Sequence, residues 1–169
     1  NDHYDRNYVA SWISCLDESM SSWLSKFCPG FMVVPCKPHP FGNQYHTIAD
    51  GDGGKPFMFW IKLVEGKDRS KKADGSWAFP SEYDRMTKMC KTMLEMTKPL
   101  HDTGKVVVGD AGFGVRHGVI QCDKKGVHFQ SYVKKRQHWP KGVPGDHIDE
   151  HLKDALLGHC ETLVQVFDD

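Results

Sequence analysis

Two aspartates are placed where a chain can do chemistry. Asp17 closes residues 11–17, where Trp12 and Ser14 fall on one face of an extended segment and Ile13 and Cys15 on the other. Asp110 follows residues 105–109, which hold three consecutive valines. Two carboxylates that converge repel each other, and Mg²⁺ relieves this because it prefers oxygen ligands completed by waters and substrate phosphates. A pair of such ions about 3.5 to 4 Å apart activates the attacking oxygen and stabilises the leaving one in phosphodiester displacement. Aspartates at strand ends also serve as turn caps or solvated turn residues. Which reading holds depends on whether the elements around them bring the two together.

Those elements can be read from periodicity. β-branched and aromatic residues cluster at 31–34, 45–49 and 57–65 between the turn signals Cys28-Pro29-Gly30 and residues 50–54, predicting an antiparallel meander. Residues 66–80 read as a loop. From 83 to 97 the apolar positions Met86, Met89, Cys90, Met93 and Leu94 recur at three and four behind a Ser81-x-x-Asp84 start signal, and Pro99 closes the helix. The valine strand at 105–109 leads through Asp110 into a helix over 113–124, stopped by Gly126, and then a strand over 127–133. A further helix at 148–157, ended by Gly158, and a strand at 162–167 follow. With 31–34 and 45–49 counted as one broken strand, three meandering strands precede a helix into a fourth and a helix into a fifth. That order predicts an α/β, RNase H-like mixed five-stranded sheet flanked by helices. Its first and fourth strands are parallel neighbours, which sets Asp17 beside Asp110.

Bulk properties bound the rest. The 169 residues suit one domain. The 22 basic and 22 acidic residues cancel, so any nucleic-acid contact must come from local patches. The densest such patch is Lys134, Lys135, Arg136 and Lys141, with His138 and Trp139 between them; it reads as a phosphate-binding run or as a solvated loop. Lys67, Arg69, Lys71 and Lys72 form a second, weaker candidate. Six cysteines without paired CxxC spacing, and no secretory signal, predict a reduced compartment, the cytosol or nucleus. No apolar stretch approaches the roughly 18 to 20 residues that span a bilayer, which predicts a soluble chain without a membrane partner. Cys28, Cys36, His39 and His46 fit no standard zinc finger, and neither a Gly-x-Ser-x-Gly elbow nor a His-Glu-x-x-His helix is present.

Seven stretches follow one another in order: Leu16-Asp17-Glu18-Ser19-Met20, Lys37-Pro38-His39-Pro40-Phe41-Gly42-Asn43, Tyr45-His46-Thr47-Ile48, Ala49-Asp50-Gly51, Leu63-Val64-Glu65-Gly66-Lys67, Thr97-Lys98-Pro99-Leu100, and the run from Gly104 through Asp110 to Phe113. Taken together they resemble piggyBac-type transposase-derived proteins. The resemblance implies an RNase H-like fold and an Asp-Asp-Asp catalytic set, with Asp17 and Asp110 as the first and second metal-binding acids. It implies two Mg²⁺ or Mn²⁺ ions, DNA strand cleavage and transfer, DNA (transposon ends and target) as partner, a possible homodimer and a nuclear location. The family's third acid lies beyond an inserted region. On that basis residues 1–133 are read as a partial catalytic core and 134–169 as a basic loop and the start of the insertion, in a fragment of a longer protein. Asp149 or Glu150 would be the third ligand of a compact RNase H site, whereas helix capping by Asp146 and first-turn placement of Asp149 and Glu150 explains them without a metal. The missing third acid also favours an alternative, a catalytically inactive transposon-derived module that binds DNA or protein.

Overall fold

The computed structural model describes residues 8–27, 29–51, 57–64, 83, 85–133, 150, 152–160 and 162. Its first element, β1 (Ile13–Ser22), alternates as the sequence pattern requires: Ser14 and Leu16 are buried, while Cys15 and Asp17 face the other way and are exposed. After β2 (Phe31–Val33), β3 (Phe41–Asp50) runs antiparallel to β1, with Asp17 opposite Thr47. β4 (Met58–Leu63) pairs antiparallel with β3. Helix α1 (Lys88–Thr97) runs into a short 3₁₀ turn, Lys98–Leu100, and returns the chain to β5 (Val106–Gly109). Helix α2 (Arg116–Lys124) then leads to β6 (His128–Ser131).

The six strands form one mixed sheet in the order β2-β3-β1-β5-β6, with β4 also on β3. The α/β class, the mixed sheet and the flanking helices agree with expectation, but the strand count rises from five to six. Residues 31–34 and 45–49 are not one broken strand. Val34 N–H donates to the Pro40 carbonyl (2.8 Å), and this turn folds β2 back onto the start of β3, with Val33 opposite Phe41.

Both helices cover the side of the sheet to which Leu16 points. There Leu16, Ile48, Val107 and Phe129 pack against Cys90, Met93, Leu94 and Met96 of α1 and Cys122 of α2. No described helix covers the face that carries Cys15 and Asp17. Helix α1 begins at Lys88 rather than 83 because the Thr87 hydroxyl accepts the Cys90 N–H (3.3 Å) and serves as the cap. The Ser81-x-x-Asp84 signal lies outside the described residues. Helix α2 begins at Arg116 rather than 113, since residues 113–115 are taken up by the turn behind Asp110. Gly126 ends it as expected, at a φ of 67° that an L side chain resists. Residues 152–160 run in turns, with Lys153 N–H on the Glu150 carbonyl (3.3 Å), so no helix reaches 157. The strand at 162–167 falls almost wholly outside the described residues.

Asp50 is a structural carboxylate at the far end of β3. It is 8% exposed and accepts from the Tyr8 hydroxyl, the Ser11 hydroxyl and the Ser11 N–H (2.9 Å), tying the segment before β1 to the sheet. Burial, with the Asp50 hydrogen bond and charge, pushes the Tyr8 phenol up to about 12. Removing the acceptor strands these donors, so Asp50→Ala should lower unfolding free energy by about 2 kcal/mol or more in urea denaturation. A loss below about 0.5 kcal/mol would show that Asp50 does not anchor the N-terminal segment.

Candidate functional site

The site rests on the parallel pairing of β1 and β5, which sets Ile13 opposite Val106, Cys15 opposite Val108 and Leu16 opposite Gly109. One step further along the same register, Asp17 and Asp110 are neighbours. Adjacent strands lie about 4.8 Å apart, so the two carboxylates emerge side by side on the face opposite the helices. Both are exposed.

Each is oriented by its own backbone. The Glu18 N–H donates to Asp17 Oδ1 (2.7 Å), and the Gly112 N–H donates to Asp110 Oδ1 (2.8 Å). The turn behind Asp110 is closed by the Phe113 N–H on the Asp110 carbonyl (3.1 Å) and the Val115 N–H on the Phe113 carbonyl (2.7 Å). Two glycines make that turn possible by close approach. A Cβ on Gly109 would stand 2.8 Å from Cζ of Phe129 and 3.1 Å from Cβ of Phe113, and one on Gly114 would collide with the Tyr132 carbonyl oxygen.

Beneath the turn, on the helix side, the His46 ring meets Phe113 edge to face, with centroids 5.6 Å apart. Burial, and then the charges of Lys62 and Lys88, hold the His46 imidazole below its usual range. The 3.7 Å approach of Nε2 to Glu18 Oε1 is therefore a polar contact of a neutral ring rather than an ion pair. Lys37 Nζ lies 3.9 Å from the other Glu18 oxygen. A histidine depressed in the folded state makes the unfolded state bind more protons below pH about 6.5. Stability contributed by neutral His46 is thus present above that pH and lost as pH falls. His46→Gln should flatten the decline in unfolding free energy between pH 7 and 5, and an unchanged slope would refute the assignment.

Cys15 shares the face of the two acids. Burial first, and then the charges of Asp17 and Asp110, push its thiol above the usual range. Neither the alternation of 11–17 nor any motif flagged Cys15, although its place two residues before Asp17 was sufficient to put it there. His46 was read only as part of a family motif and of a zinc set whose spacing fits no standard finger.

The donor set fits a hard divalent cation. Two carboxylates stand on neighbouring strand ends, and Mg²⁺ or Mn²⁺ takes oxygen ligands of this kind together with water and phosphate. Among the described residues no group of three His, Cys, Asp or Glu converges, so Glu150 does not join the pair as a third ligand, and Cys36, His39 and His46 form no zinc cluster. Asp146, Asp149, Cys28, the basic runs Lys67, Arg69, Lys71 and Lys72, and Lys134, Lys135, Arg136 and Lys141 lie outside the described residues. Among the described residues no helix is long and apolar enough to cross a membrane.

Residues 1–161 match the sequence family described as Transposase IS4. The chain belongs to this transposase family. No curated protein matches it. Among solved structures it is similar to a piggyBac transposase in a cryo-EM synaptic complex with hairpin DNA, with a TM-score of 0.61 and 16% identity over 91% of this chain. The chain spans 28% of the length of that transposase. Both findings bear out the resemblance carried by the two acid motifs, and the second shows the shared fold.

Cys15 offers a direct check on the acid pair. Neutralising a nearby carboxylate favours the thiolate, so Asp17→Asn and Asp110→Asn should each speed alkylation of Cys15 by iodoacetamide at pH 8 by about two- to threefold, a screened Coulomb effect. The informative variant is Asp110→Asn, remote in sequence: an unchanged rate there would mean that Asp110 does not stand beside β1.

Proposed function

We propose that the chain is part of the catalytic region of a DNA transposase, in which Asp17 and Asp110 ligate divalent metal ions for cleavage and joining of DNA strands at a 3′-hydroxyl. The observation that carries this reading is the β1–β5 register, which brings together two acids 93 positions apart (110 − 17). Membership of a transposase family and a fold shared with a transposase solved on DNA support DNA as the substrate. When bound, Mg²⁺ or Mn²⁺, most simply as two ions, would supply Lewis-acid activation of water or a 3′-hydroxyl and stabilise the departing oxygen. The chain's own part is to hold the two carboxylates on rigid strand ends, with one oxygen of each fixed by a backbone amide. Lys134, Lys135, Arg136 and Lys141, which follow β6 directly, would contact the DNA backbone. A nuclear location and pairing of two copies on two transposon ends belong to the same proposal.

A second reading is favoured by one observation, the absence of a third converging acid among the described residues. In it the chain is a transposon-derived module that binds DNA or protein and cuts nothing. Two carboxylates hold a metal ion weakly, so the 169-residue chain should show weak Mn²⁺ binding and no robust nicking. Mn²⁺ binding followed by electron paramagnetic resonance should be lost in both Asp17→Asn and Asp110→Asn. Binding that survives both substitutions would remove the acid pair as the metal site, whereas Mn²⁺-dependent nicking abolished by either would exclude the inactive module.

A further inference from the structure

The pairing of β1 with β3 continues one step beyond Ser22, where the Trp23 N–H donates to the Phe41 carbonyl (3.1 Å). Phe41 in turn stands opposite Val33 of β2. Trp23, Phe41 and Val33 therefore form a row across three strands at the tip of the sheet. Each is about half exposed, at 51%, 47% and 52%. By the two-residue alternation of β1, Trp23 lies on the same face as Asp17, with Ser19 and Ser21 between them. Six residues of strand span about 20 Å, close to the length of six nucleotides of a stacked strand at about 3.4 Å each.

Past the row, Phe27 is more exposed still, and Lys26 Nζ sits 5.6 Å from its ring centroid. The charge of this region is one-sided. In a chain with 22 acidic residues, none occurs from Ser19 to Ala49, while Lys26, Lys37 and His39 do, of which Lys37 lies 3.9 Å from Glu18. Exposed aromatic rings with a cation beside them form the kind of surface on which unstacked bases lie while phosphates are neutralised. A duplex keeps its base faces stacked, so rings of this kind select single-stranded or melted nucleic acid.

We propose that the β1–β2–β3 tip cradles an unpaired stretch of the DNA strand whose phosphodiester lies at Asp17 and Asp110, with Trp23 and Phe41 stacking on bases and Lys26 facing a phosphate. This rests on the proposed transposase function and adds to it a path for the strand along β1.

The test uses a fluorescein-labelled single strand of about 15 nucleotides and the duplex of the same sequence, with anisotropy as the readout. Trp23→Ala combined with Phe41→Ala should weaken single-strand binding about tenfold or more, the scale of base–aromatic stacking, and change duplex binding less. Trp23→Phe combined with Phe41→Tyr keeps both rings and should bind as the parent chain does. A folded alanine variant with unchanged single-strand affinity overturns the proposal. So does a variant that turns a dimer into a monomer in light scattering while its DNA affinity stands, since the row would then join two copies. Should the alanine variant not fold, fluorescence decides: DNA should quench the parent chain more than Trp23→Phe, and equal quenching overturns the proposal. Mn²⁺ held by the acid pair together with a row that does not affect DNA binding would overturn this inference and leave the transposase reading standing. No DNA affinity at low salt in the parent chain would overturn both.

Discussion

The parallel alignment of β1 with β5 is the constraint on which the rest of the molecule depends. Parallel neighbours cannot be joined by a tight turn, so the chain between them must cross over, and α1 is the described helix that leads it back to β5. Its buried face, with Met93, Leu94 and Met96, presses on the side of the sheet opposite the acids. That packing fixes the register. A slip of one residue would turn Leu16 to solvent and Asp17 into the core, which the hydrophobic effect and the desolvation of a carboxylate both oppose. The acids are thus held by what lies behind them, and Gly109 shows how tightly, since even a methyl group there would press on Phe129 and Phe113.

The sheet carries a third aspartate whose contrast with the pair is instructive. Asp50 is buried and surrounded by donors from Tyr8 and Ser11, so its charge is satisfied within the protein. Asp17 and Asp110 each take one backbone amide within two residues of themselves and, among the described residues, nothing from a distant side chain. A carboxylate satisfied by hydroxyls is part of the scaffold, while two exposed ones on neighbouring strand ends suit the proposed role of holding a cation. Residue type was the same in all three cases, and only partners separate the roles.

Much of this was legible in the sequence because it depends on periods of two and of three to four. The alternation around Asp17, the valine run before Asp110, the methionine spacing of α1 and the stop at Gly126 all lie where pattern places them. Boundaries were less legible. The cap of α1 is a threonine hydroxyl bonding three residues on, a local choice that competes with other polar residues nearby, and the start of α2 yields to the turn that Asp110 itself closes. Strand β2 was located but merged with β3, because three residues carry too little pattern to show that they fold back as a strand of their own. His46 and the role of Asp50 needed tertiary neighbours: His46 is depressed by burial, against Phe113 of the turn behind Asp110, and by the charges of Lys62 on β4 and Lys88 on α1.

The charge arithmetic of the acid pair links metal to DNA. Two carboxylates carry two negative charges, enough to balance one divalent ion and not two. In the proposed site a phosphodiester would add a further negative oxygen, so metal and DNA would each raise the affinity for the other. The exposure of the pair suits that proposal, because a phosphate would have to reach the face of the sheet where the pair projects, and a helix packed over Asp17 would deny that approach. Among the described residues no helix does so.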